Sequence, residues 1–206
     1  MSLHAVIFDL DGVVRHYDRV HERSIESRFG LEAGSLLRIA FGGDLGRSFM
    51  CGEIDHGQFA RALGELLESP GAAAEFVAMR AEVDPAAVAL VRSLQARLPV
   101  ALLTNGSLRT RHELAEAGLR DAFDHVFNSA ETGAPKPHRQ AYLNVLEVLG
   151  TPPQFTAFID DHLPNVEGAE AVGIVGHHYR GLVDLMEFLG GHGLLDRDAE
   201  APGSVE

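Results

Sequence analysis

The sequence predicts an α/β fold, a doubly wound parallel sheet whose first strand is followed by an inserted all-helical segment. Three observations carry this. Short apolar runs at 5–8, 100–103, 125–127, 155–159 and 172–175 have strand length, and unbroken apolarity is the mark of strands buried on both faces. Each run is followed by a helical pattern, and strand–helix alternation gives a parallel sheet with helices packed against it. Between the first and second runs lies a long stretch with helical periodicity and no strand-like run.

In chain order, 5–8 (Ala-Val-Ile-Phe) reads as the first strand. Helices are expected at 20–29, 33–40 and 58–67, the last after a break at 52–57 that contains two glycines. Residues 84–97 form the clearest helix, with Val88, Leu90, Val91, Leu94 and Leu98 at steps of three and four. Further helices fit 108–117, 138–149, 164–171 and 181–189. The expected organisation is an α/β core of residues 1–14 and 84–194, a small helical cap of residues 15–83, and a frayed polar tail at 195–206.

The composition excludes several functions. Seventeen Lys and Arg against 30 Asp and Glu give a net charge of −13, so nucleic acid or an anionic membrane surface would be bound against the field of the whole chain. Neither partner is expected. The longest apolar runs fall far short of the roughly 20 residues a spanning helix needs, and the first residues show no secretory signal, so a cytoplasmic location is expected. A single cysteine, Cys51, cannot form an intrachain disulfide and reads as a packing residue. The 11 histidines show no HExxH or Cys/His spacing, and the adjacent His177 and His178 would point to opposite sides of a strand, which argues against zinc.

Four short segments carry chemistry. The first strand runs into Asp9-Leu10-Asp11-Gly12, where a two-residue period would put both carboxylates on one side at the strand's carboxyl end, the end at which open α/β sheets bind ligands. Paired carboxylates imply a cation, divided acid and base roles, or both. Taken alone, the segment reads equally as a turn with a helix cap. The second strand ends in Thr104-Asn105-Gly106-Ser107, a hydroxyl and backbone N–H groups that suit an anion, or simply a helix N-cap at Ser107. Lys136 stands between Pro135 and Pro137, and a lone lysine is ordinarily solvated. Asp160 and Asp161 end the fourth strand, with Asp161 able to cap the next helix.

The order of these segments, strand-DLDG, helical insert, strand-TNGS, PKP, strand-DD, resembles the haloacid dehalogenase-like (HAD) hydrolase superfamily and covers residues 5–190. That resemblance implies a Rossmann-like core with Asp9 as the nucleophile forming an aspartyl-phosphate and Asp11 as general acid and base. It further implies Thr104, Asn105 and Gly106 as phosphate-binding groups, and Lys136 as the neutralising cation. Mg²⁺ would be held by Asp9, the Asp11 backbone carbonyl and Asp160, with Asp161 as an outer or alternative ligand. The implied activity is hydrolysis of a small phosphorylated metabolite. The segment Ile-Asp-Asp-His-Leu-Pro-Asn-Val at 159–166 is similar to the branch containing sugar-phosphate phosphatases and the phosphatase domain of bifunctional epoxide hydrolases. Arg15, His16, Arg19, Arg47 and His56 are polar residues of the insert that could reach a substrate, although solvated surface is their expected role.

Three rival functions share the scaffold. A 2-haloacid dehalogenase lacks the acid/base Asp that Asp11 supplies here. A phosphomutase keeps that Asp, and the insert shows no signature that separates it from a phosphatase. A non-catalytic phospholigand-binding protein has no need of the intact set Asp9, Asp11, Lys136 and Asp160. Oligomeric state is not written in the sequence.

Overall fold

The computed structural model describes residues 2–195; of the expected tail at 195–206, all but Leu195 lies outside the described residues. The elements in chain order are β1 (Ala5–Phe8), β2 (Arg15–Tyr17), α1 (Arg19–Arg28), α2 (Ser35–Phe41), α3 (Asp44–Met50), α4 (His56–Leu66), α5 (Pro70–Ala78) and β3 (Ala81–Val83). There follow α6 (Pro85–Gln95), β4 (Val100–Thr104), α7 (Thr110–Glu116), β5 (His125–Asn128), α8 (Ser129–Thr132) and α9 (Arg139–Leu149). The described chain closes with β6 (Thr156–Asp160), α10 (Leu163–Glu170), β7 (Val175–His178) and α11 (Leu182–Gly191).

Five strands form one parallel sheet in the order β5-β4-β1-β6-β7. Alternate side chains divide between two hydrophobic layers, as unbroken apolar strands require. Val6, Phe8, Val100, Leu102, Ala157 and Ile159 pack on one face with Leu94 of α6, Leu114 of α7 and Leu189 of α11. On the other face Ile7, Ala101, Leu103 and Phe158 meet Tyr142 and Val145 of α9 and Ala169 of α10. The chain moves outward from β1 through β4 to β5, then returns to β6 on the opposite side of β1. This reversal puts the carboxyl ends of β1, β4 and β6 at the crevice where such sheets bind ligands.

Helices α1–α5 form a third apolar cluster of their own, built on Ile25, Leu36, Phe49, Phe59 and Leu63. Residues 15–83 are not helical throughout: their ends pair as an antiparallel ribbon, Arg15 opposite Val83 and Tyr17 opposite Ala81. Strands of three residues are too short to display a period. Helices α3 and α5 were likewise absent from the expectation; α3 spans only seven residues with Gly46 inside it, and α5 is set by its ends, a Ser69 side-chain cap with Pro70 in its first turn. The last strand lies at 175–178 rather than 172–175, because Val172 and Gly173, the latter with φ +89°, form the turn that closes α10. No described helix is long and apolar enough to cross a membrane.

Candidate active site

β1 delivers Asp9 to the crevice, its backbone N–H continuing the ladder to the Ile159 carbonyl at 2.9 Å. Asp9 Oδ1 accepts from the Leu10 N–H at 2.7 Å and is 2.7 Å from Lys136 Nζ. One carboxylate oxygen is thus anchored, and Oδ2 is left open. Lys136, its side chain 1% exposed, also donates to Asp160 Oδ2 at 2.7 Å. It is not the solvated lysine that residue statistics favour. Burial alone disfavours its ammonium, but Asp9 and Asp160 on either side outweigh that and hold its pKa above the usual lysine value. Asn105 fixes this lysine by accepting from the Lys136 N–H at 2.7 Å and donating to the Lys136 carbonyl at 2.8 Å.

Asp160, fully buried at the end of β6, accepts four hydrogen bonds. Oδ1 takes the His162 N–H and Asn165 Nδ2, while Oδ2 takes Lys136 Nζ and Asn165 Nδ2. Three donor groups thus hold its two oxygens, Asn165 Nδ2 bridging both. Asn165 is in turn held in a backbone bond, its carbonyl accepting from the buried Tyr142 hydroxyl at 2.7 Å. Asp161 does not cap α10, whose N-cap is His162. Its carboxylate instead lies over Gly12, where an added Cβ would sit 2.1 Å from Asp161 Oδ2. Gly12 has φ +92°, so glycine is needed twice over, for the backbone and for the space.

The carboxylates of Asp9, Asp160 and Asp161 have oxygens within 4.8 Å of one another. Burial, helped by Asp160 and Asp11 and opposed by Lys136, pushes the Asp9 carboxyl up to about 8. Burial and Asp160 also raise Asp161. With all three ionised, the carboxylates face a single ammonium, that of Lys136 between Asp9 and Asp160, and two negative charges are left at the mouth of the sheet. Hard oxygen donors in that charge state fit a divalent cation such as Mg²⁺, and no side-chain donor reaches Asp161 among the described residues.

Asp11 is near enough to Asp9 to help raise it, yet is not one of the trio. β1 ends at Phe8, so the two-residue period does not extend to Asp11, whose carboxylate lies outside the trio. It is gripped instead by Arg15, Nε to Oδ1 at 2.6 Å and a terminal nitrogen to Oδ2 at 3.2 Å. Arg15 also reaches Glu113 of α7 at 3.1 Å; its side chain is 9% exposed, so it is no solvated surface residue. Thr104 ends β4 buried, and the following turn is held by Asn128 Nδ2 donating to the Ser107 carbonyl at 2.7 Å and by the Ser107 N–H donating to Thr110 Oγ1 at 2.9 Å. A Cβ at Gly106 would meet Thr110 Oγ1 at 2.2 Å.

Asp11, Arg15, Asn105, Gly106 and Ser107 open on a cavity of about 310 Å³ beneath the helical insert. Arg19, Glu22 and His56 line it together with Leu37, Phe41, Phe49, Met50, Phe59, Phe76, Val77 and Met79. His16 and Arg47 are outside this lining and exposed. Residue-by-residue reading missed Glu113, Asn128 and the full role of Asn165; the one signal available for Asn165 was its spacing four residues after Asp161.

A family profile for haloacid dehalogenase-like hydrolases matches residues 3–173. The chain is 31% identical to a sesquiterpene phosphatase of Aspergillus oryzae over 180 residues, covering 84% of this chain and 88% of that one. It is 32% identical to a phosphatase of Mycobacterium tuberculosis, covering 84% and 86% respectively. A HAD-family enzyme of Bacteroides thetaiotaomicron, solved in complex with magnesium and inorganic phosphate, superposes with a TM-score of 0.68 at 21% identity, over 85% of this chain and 93% of that one. Profile, relatives and sheet topology agree, and the chain belongs to the haloacid dehalogenase-like hydrolase family.

Proposed function

We propose that the chain is a Mg²⁺-dependent phosphatase of small phosphomonoesters that works through a phosphorylated Asp9. The observation that carries this reading is the state of Asp9 itself, with one oxygen fixed by Leu10 and Lys136 and the other open. Two full-length relatives that are phosphatases support the reaction class. Asp9 and Asp161 would hold the metal with the Asp11 backbone carbonyl, and Asp160, whose oxygen lies in the same trio, would add a ligand or serve by fixing Lys136. The cation, when bound, neutralises the carboxylates and draws charge from a phosphate oxygen.

The chain's own residues do the rest. Asp9 Oδ2 attacks phosphorus as the bond to the leaving oxygen breaks, and Asp11 gives that oxygen its proton. Asp11 then takes a proton from water, whose oxygen attacks phosphorus and breaks the bond to Asp9, releasing inorganic phosphate. Thr104 and the backbone at Asn105 and Gly106 hold the phosphate oxygens, and Lys136 offsets their charge. Arg15 aims Asp11. The helical segment 15–83 covers the site and keeps bulk water from the acyl phosphate.

The test is phosphate release from a panel of phosphomonoesters, with Mg²⁺ and with EDTA, using the native chain beside Asp9→Asn. Release that needs Mg²⁺ and is abolished in the variant is expected. An active Asp9→Asn chain would sink the mechanism, and conversion of a substrate to its isomer without phosphate release would replace hydrolysis by mutase chemistry.

A further inference from the structure

We infer that the cavity beneath the helical insert selects phosphomonoesters with an apolar, aliphatic body over sugar or other polyol phosphates. The inference rests on the phosphatase reading for the reactive end and extends it to the remainder of the substrate. Asn105, Gly106 and Ser107 line the same cavity as the apolar side chains of α2, α3, α4 and α5, so a phosphate at the carboxyl ends of the strands has its organic part facing those helices. Phe41 lines that wall and is 41% exposed, a large apolar side chain with water where a ligand would cover it.

The charged groups of the cavity are largely spent on one another, and Tyr17 and His56 are the polar side chains of the insert that line it without a hydrogen bond among the described residues. Arg15 is shared by Asp11 and Glu113. Arg19 donates to Glu22 at 2.7 Å. Asn105 uses both ends of its amide on the Lys136 backbone, and the His56 ring stands edge-on to Phe49 at 4.9 Å. A hydroxylated body entering this space surrenders its hydrogen bonds to water and finds few replacements, whereas an alkyl body surrenders none. Ligand cavities of this size are ordinarily apolar with a few convergent polar groups; here Asp11, Arg15, Asn105 and Ser107 stand at the phosphate end, and most of the insert's lining is apolar.

The experiment measures binding and turnover separately. Calorimetry with non-hydrolysable n-alkylphosphonates from ethyl to decyl, in the presence of Mg²⁺, should show affinity rising about fourfold per methylene until the cavity is filled. Polyol phosphonates of equal length should bind at least about tenfold more weakly for each hydroxyl left without a partner. kcat/KM for the matching alkyl phosphates should follow the same series. Leu37→Gln, a half-buried change in the α2 wall, should flatten the slope. Affinity independent of chain length, or tighter binding of the polyol series, overturns the inference. A chain-length series in binding with no hydrolysis of any member supports the cavity's selectivity and removes the phosphatase reading; hydrolysis with a flat series does the reverse.

Discussion

Replacing Arg15 by methionine keeps most of the side chain's length and removes its charge. Arg15 holds two carboxylates, Asp11 through two bonds and Glu113 through one. Removing one partner of a deeply buried pair costs about 3–5 kcal/mol, and a fully exposed pair is worth about 0–1 kcal/mol. With the Arg15 side chain 9% exposed, Asp11 35% and Glu113 18%, the site lies between these limits. Water can reach both acids, so a loss of about 2 kcal/mol in denaturant unfolding is expected. The kinetic effect should be larger. General acid–base catalysis supplies about 10²–10⁴-fold, and misplacing a group by about 1 Å can cost about 100-fold. R15M should therefore lower kcat about 100-fold while KM changes little. If Arg15 acts by aiming Asp11, the loss must vanish in an Asp11→Asn background, where there is no proton to deliver. Equal losses from R15M in both backgrounds would refute the positioning argument and leave Arg15 a merely structural residue.

Gly12→Ala should cost about 1–3 kcal/mol from its positive φ and displace Asp161, whose oxygen stands 2.1 Å from the added Cβ; the thermal stabilisation conferred by Mg²⁺ should shrink with it, and an unchanged Mg²⁺ titration would show that Asp161 is not a ligand. His177, stacked 4.3 Å from Phe188, has its pKa lowered from 6.5, chiefly by burial, with Arg180 and His178 acting the same way and Asp184, 3.2 Å away, opposing. The unfolded chain takes up this proton at about 6.5 and the folded chain resists it, so the contribution is neutral above that pH and destabilising as pH falls below it. Melting temperatures should therefore fall more steeply for the native chain than for His177→Gln between pH 7 and 5.5, and parallel curves would refute the sign.

Much of the core was legible because its signals are local. A buried parallel strand is an unbroken apolar run, and a residue at or just past its carboxyl end enters the crevice; Asp9 follows β1, and Thr104 and Asp160 end β4 and β6. Lys136 was legible from its place between two prolines in an ordered series of motifs, and no local feature told that it would be buried. Arg15 was legible only among the polar residues that could reach a substrate, and its hold on Asp11 could not be read. One of its partners, Glu113, is 98 residues away, and a charged residue in a three-residue strand looks like surface until its partners are known. The different surroundings of Asp160 and Asp161 were equally hidden, since Asn165 and Lys136 donate to the first carboxylate and not to the second. Helix α3 failed for a different reason, being short and glycine-containing, so that no period could mark it, and β7 was displaced by three residues by the turn at Val172 and Gly173.

A chain of charge −13 that binds a phosphate must solve the problem locally, and the geometry shows how far its own residues can go. Charges elsewhere on the surface are screened beyond about 8 Å at physiological salt, which leaves Asp9, Asp160, Asp161 and Lys136 to set the field in the crevice. With all three carboxylates ionised their sum is two negative charges, a state that Asp9, raised to about 8, reaches when a cation or rising pH takes its proton. Lys136, for all its burial, is already matched by the carboxylates on either side. On the proposed reading, the ionised site without a cation repels a phosphate dianion, and the phosphate end of a substrate gains a favourable field only when the open carboxylates are neutralised. Cation and phosphate must then strengthen each other's binding, and by linkage each does so by the same factor. The apolar cavity takes no part in this exchange, because its charged groups are paired internally. One end of the site is thus governed by charge and the other by the removal of water from hydrocarbon, which is why affinity for the organic body and dependence on Mg²⁺ should vary independently.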